Sequence, residues 1–152
     1  MEYTLTHNSH TTITGKTSTI DGLSIQRNQF LYGGSEAILA LDESAGTFTE
    51  VKQMIVRDNL IQSGHTYVQP RISQSITQSN SAIYQFDFKG QVLFNPSVIP
   101  FAWIDYSVEY NDNSFTPHAL RRPNGTTVVV EFEKPTSASV YVTVDQSSSV
   151  SY

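Results

Sequence analysis

The chain contains no cysteine. That removes thiol catalysis, cysteine-based zinc sites and a disulfide framework. Charge is scarce as well: Asp, Glu, Lys and Arg make up 15% of the 152 residues, against roughly 25% in an average soluble domain. The balance is acidic, with 9 Lys and Arg against 14 Asp and Glu. Binding to phosphate backbones draws on a basic face, so no nucleic-acid partner is expected. Long apolar runs are missing too. The stretch from Val98 to Ile104, broken by Pro100, falls far short of the roughly 20 residues of a membrane-spanning helix. No membrane partner is expected. Met1-Glu2-Tyr3-Thr4-Leu5 lacks the basic-then-apolar order of a signal peptide, so synthesis in a cytoplasm is expected.

Neutral polar residues fill the gap: 19 Ser, 16 Thr, 8 Asn and 10 Gln. Apolar residues among them recur mostly at every second position, the period of a half-buried strand. Tyr84, Phe86 and Phe88 share one face. Ile104, Tyr106, Val108 and Tyr110 share another, opposite Asp105, Ser107 and Glu109. Val128, Val130 and Phe132 follow, then Val140, Val142 and Val144. Gly90 marks a bend, and Pro123-Asn124-Gly125 a tight turn leading into the Thr126 strand. Proline cannot donate to a ladder, so Pro96, Pro100, Pro117, Pro123 and Pro135 are expected at or near strand ends.

The first half is less regular. Thr4 to Ile25 reads as short strands or an arm. Glu36 to Leu41 reads as helix or strand. Ser44-Ala45-Gly46 favours a hairpin with Thr47 to Val56 as its second strand, a helix over Thr49 to Asn59 being the alternative. Tyr67 to Ile76 reads as an edge strand near Pro70. No repeat of fixed length is evident. The expected fold is all-β: an antiparallel two-sheet β-sandwich or jelly roll of about eight to ten strands. It forms a single domain over residues 1–152, with a possible flexible arm at 1–20 and tail at 146–152.

Groups with chemical potential are few. His7 and His10 fall on opposite faces of a strand, the wrong geometry for one metal. His65 and His118 sit in polar, turn-like contexts and are expected to be solvated. Asp105 and Glu109 share a face but lie about 13 Å apart along it. Glu131 and Glu133 are about 6–7 Å apart and read as a solvated outer face. Glu109 to Asn113, with Leu41-Asp42-Glu43, resembles cadherin calcium motifs. Calcium needs six to eight oxygens, and this cluster reads as a turn. No metal, cofactor, nucleophile elbow or phosphate loop is expected.

Aromatics offer more: 8 Tyr, 8 Phe and 1 Trp. Trp103, with Tyr106 and Tyr110, provides candidate sugar-stacking residues. Arg121 and Arg122 form one basic spot, a candidate interface with a neighbouring subunit. The Met1 start, low charge, Ser/Thr/Asn/Gln richness, missing cysteine, strand content and loose ends together resemble bacteriophage and viral structural proteins of the capsid-decoration, head-fibre, neck or tail type. That resemblance implies a non-enzymatic virion subunit that self-associates and acts through protein contacts. The alternative expectation is a carbohydrate- or host-receptor-binding module with a glycan partner. A small hydrolase ranks below both.

Overall fold

The alternating residues of the second half build one long, bent sheet. The computed structural model describes residues 2–5, 11–14, 19–30, 39–43, 46–61, 68–111 and 115–148, and no helix occurs among them. Strands β10 (Arg71–Asp87) and β13 (Thr127–Asp145) pair antiparallel over nearly their whole length. On the other side of β13, β11 (Trp103–Tyr110) pairs with its C-terminal half and β12 (His118–Leu120) with its N-terminal half. The β10–β13 ladder slips between Gln78 and Ile83, where Asn80 takes a positive φ of 53°. Bulges of this kind bend a sheet.

The bend folds the sheet back over itself. Gln74, in the first half of β10, donates to the carbonyl of Asp87 at its end, 2.9 Å away. Between the layers lie Tyr84, Phe86, Phe88, Val128, Val130 and Phe132 from one half, and Val140, Val142 and Val144 from the other. Each such side chain stabilises the fold by about 1.5–3 kcal/mol when fully buried. Tyr84 secures the bend. Its hydroxyl donates to the Thr136 carbonyl (2.9 Å) and accepts from the Ala138 amide (3.1 Å). Pro135 lies inside β13 rather than near a strand end. It falls in the slipped segment, where no β10 residue is in register with it, so its missing N–H breaks no ladder bond.

The first half differs from expectation. Its strands are β1 (Glu2–Leu5), β2 (Thr11–Thr14), β3 (Thr19–Asp21), β4 (Ser24–Gln26), β5 (Gln29–Phe30), β6 (Leu39–Asp42), β7 (Glu50–Lys52), β8 (Ile55–Arg57) and β9 (Leu60–Ile61). β1 and β2 form an antiparallel pair. The expected hairpin does not form: β6 pairs with β2, β7 with β3, β8 with β4 and β9 with β5, all parallel. Thr19, Ser24 and Gln29 lie opposite Glu50, Ile55 and Leu60. The chain therefore travels round a coil and returns 31 residues later, one layer on. The offset is 31 residues for β3, β4 and β5 and 28 for β2, so the return is a feature of the backbone rather than a sequence repeat of fixed length. Across the described residues the strands number thirteen, above the eight to ten expected, because each turn of the coil breaks into short pieces.

The corners of the coil explain the breaks. Gly22 and Gln53 hold matching positive φ values of 70° and 51°, and Arg27 and Asp58 both hold 57°. These corners turn Ile20, Leu23 and Ile25 inward, with Val51 and Met54 on the next layer. Phe94 and Ile99, from the segment between β10 and β11, complete that core.

The two halves are joined by the end of β13. Gln146, expected in a flexible tail, is fully buried. Its amide accepts from the Phe94 amide (3.1 Å) and donates to the carbonyls of Phe94 (3.0 Å) and Ile99 (2.8 Å). The next residue, Ser147, accepts from Met54 of the coil (3.0 Å). Ile20, within the expected arm, is also fully buried. Residues 149–152 lie outside the described residues.

Candidate functional site

β11 alternates, so its side chains part to opposite faces. Tyr106 and Tyr110 turn inward and are half-buried against the sheet core. Trp103 turns outward and is 54% exposed. The structure therefore does not bring the three expected stacking residues onto one surface. The inward pair meets His118 instead. The Tyr106 hydroxyl lies 3.3 Å from His118 Nδ1, and Phe132, Phe115 and Tyr110 surround the imidazole at ring separations of 5.2 to 6.3 Å. His118 is half-buried among aromatics rather than solvated in a turn. His7, His10 and His65 lie outside the described residues.

Trp103 lies in register with Asp145, which lies in register with Arg71 on β10. The three form a row across the sheet. The Arg71 guanidinium carbon stands 5.3 Å from the centre of the indole, within range of a cation–π contact. Its Nε is 3.8 Å from Asp145 Oδ2. Asp145 is almost completely buried, and its other oxygen accepts from the Ser147 amide (2.7 Å). These contacts fix the orientation of an otherwise exposed indole. Asp105 and Thr143 share the crevice with this row, which has no room for a water.

Trp103 also borders a wider cleft of about 490 Å³ that Arg71 does not line. Pro96, Pro100 and Phe101 contribute to its walls, together with Leu120, Arg122 and Pro123. The 95–100 wall is built firmly. Asn95 accepts from the amides of Val98 and Ile99 through its carbonyl and from Ser97 through its side chain, and Ile99 is anchored in the coil core. The opposite wall is the turn before β13, closed by reciprocal bonds of 3.0 Å between Asn124 and Thr127. The expected Pro-Asn-Gly turn thus positions Arg122.

The two arginines have separate fates. Arg121 is bound to Glu131 of its own chain. That contact holds the Glu131 carboxyl below its ordinary value, first through the hydrogen bond and then through charge. Arg122 is exposed and has no ion-pair or hydrogen-bond partner among the described residues. A shallow depression gathers Arg121, Glu131, Glu133 and His118. A general acid in glycoside hydrolysis needs a raised pKa, opposite to the shift at Glu131. No metal-binding group of His, Asp or Glu occurs among the described residues.

Two arginines line a second groove of about 560 Å³, where Arg57 and Asp58 of the coil face Gln69, Arg71 and Ser73. The cleft and this groove were not legible as sites in the sequence. Each draws residues from distant segments, and only Trp103 and Arg122 stood out, for unrelated reasons.

The chain is similar to a polygalacturonase. It is 30% identical over 129 residues to Polygalacturonase QRT3 of Arabidopsis thaliana, covering 84% of this chain and 26% of that protein. The chain thus spans about a quarter of the length of the curated relative it matches. This similarity overturns the expectation, drawn from the resemblance to virion structural proteins, that the chain is not an enzyme. No family model matches the chain. No solved structure matches it.

Proposed function

We infer that the chain serves the cleavage of an acidic polysaccharide of the polygalacturonan kind. The similarity to a polygalacturonase over most of the chain carries this reading. Two features of the structure support it. Open, elongated surfaces suit a polymer better than a closed pocket suits one, and the described grooves are open. Arginines line those grooves on a protein that is acidic overall: Arg122 the cleft, and Arg57 and Arg71, each already beside an aspartate of the chain, the second groove. Guanidinium groups are suited to carboxylates, the charge that a uronic-acid polymer carries.

The finer architecture belongs to the same reading: a parallel β-coil of two layers, closed at one end by a sheet folded into a small sandwich. The coil supplies one wall of the groove with Arg57, and the folded sheet supplies the cleft beside Trp103. The glycan partner expected from the surface aromatics is retained, with a different residue set. No observation in the fold or the similarity favours a virion or self-associating role over this one.

Incubation with polygalacturonate tests the reading. New reducing ends and a falling viscosity are expected, with neutral galactan left intact. Polygalacturonate that is not shortened contradicts it.

A further inference from the structure

We propose that the cleft between Trp103 and Arg122 is a binding subsite for one uronic-acid unit. Its sugar ring stacks on the indole and its carboxylate meets the guanidinium of Arg122. The choice of a uronic acid rests on the reading above. The existence of a sugar subsite rests on the cleft itself.

Three observations carry it. Trp103 is the largest exposed side chain of its strand, yet it is not loose, because Arg71 and Asp145 hold it in a row across the sheet. A fixed, exposed indole offers a flat apolar face at little entropic cost. Second, Arg122 lines the same cleft with no partner of its own among the described residues, whereas the adjacent Arg121 is occupied by Glu131. An unpaired guanidinium calls for an anion, and the fork of Arg fits a carboxylate with two parallel hydrogen bonds. Third, Pro96, Pro100 and Phe101 give the remaining wall an apolar, inflexible character. A pyranose ring with one carboxylate matches that combination: apolar C–H faces for the indole and one charge at its rim. The cleft volume of about 490 Å³ falls within the usual range for small-ligand sites, roughly 300–1,000 Å³.

Trp103 is also the sole tryptophan of the chain, so its fluorescence reports on this cleft directly. The full chain is titrated with tri-galacturonic acid and, separately, with galactotriose. The acidic trimer is expected to produce a saturable change in emission that weakens with added salt, and the neutral trimer a much weaker one. Arg122→Gln should weaken binding of the acidic trimer by about tenfold to a hundredfold, the usual effect of losing a charge-assisted contact. Arg121→Gln should leave it unchanged. Circular dichroism shows whether each variant keeps the fold, and calorimetry covers Trp103→Ala, which should abolish binding. An unchanged emission on titration, or superimposable curves for the native chain and Arg122→Gln, would overturn the proposal. Polygalacturonate cleavage is followed on the same samples. Binding through Arg122 without cleavage supports the subsite and removes the enzymatic reading. Cleavage with no dependence of binding on Arg122 does the reverse.

Discussion

Gln146 shows how a single side chain ties the two halves together. All three of its amide bonds end on backbone groups of the 94–99 segment. Gln146→Leu fills a similar volume but leaves one amide and two carbonyls without partners. Burying an unsatisfied group costs about 1–3 kcal/mol, so the variant should lose at least that much in urea unfolding. An unchanged midpoint would show that the segment is held by other contacts. Tyr84 has a comparable role at the bend. Burial raises its hydroxyl pKa above the ordinary 10.0, and the bond from Ala138 offsets part of that rise. The folded chain therefore favours the neutral phenol more than the unfolded chain does. The stability this contributes is full below pH 10 and is lost as pH rises through the folded value. Tyr84→Phe should be less stable at neutral pH by about 1–3 kcal/mol. It should also show a shallower loss of stability above pH 10.

The coil depends on its corners. Asn28 and Asn59 occupy equivalent positions 31 residues apart, each after a residue of positive φ. The Asn59 side-chain oxygen accepts from both the backbone and the side-chain nitrogen of Asn28 (3.0 and 3.1 Å), and its own nitrogen donates to the Ile25 carbonyl (3.1 Å). Asn59→Ala should therefore cost about 1 kcal/mol and speed hydrogen exchange at the Asn28 amide. An unchanged exchange rate there would show that the Asn28–Asn59 contact does not hold the corner. At the other corner, Gly22 has a positive φ, and so does its counterpart Gln53. Gly22→Ala should cost about 1 kcal/mol through left-handed backbone strain, although no neighbour stands near the added methyl. Gln53→Gly should be neutral or mildly stabilising, because it relieves the same strain. The corners also explain why the coil was hidden in the sequence. Of the twelve positions 19–30 and 50–61, only the asparagine is identical. Each left-handed corner shifts the inward set, so Ile20, Leu23 and Ile25 match neither a strand period nor a helical one. The folded sheet was legible because Val140, Val142 and Val144 stay on one face through an uninterrupted ladder.

Across the whole molecule, acid should loosen the structure at several points together. Glu50, Asp87 and Glu131 are all held below their ordinary values. The leading causes are hydrogen bonds from Lys52, from the Lys89 backbone and from Arg121, respectively. Their contribution is present above the normal carboxylate range and fades as pH falls through the lowered values. The candidate site, too, takes shape only at this scale. Trp103 and Arg122 were each conspicuous in the sequence, but nothing along the chain joined them. The bend, the turn before β13 and the coil-anchored 95–100 wall do so in space. Tyr106 and Tyr110 parted from Trp103 through strand parity alone. The claim that organises these features is that the molecule engages an acidic polysaccharide. Electrophoresis through gels containing polygalacturonate or neutral galactan, at low and high salt, tests it most directly. Retardation confined to the acidic gel and relieved by salt is the predicted result. Equal mobility in both gels at low salt would contradict it.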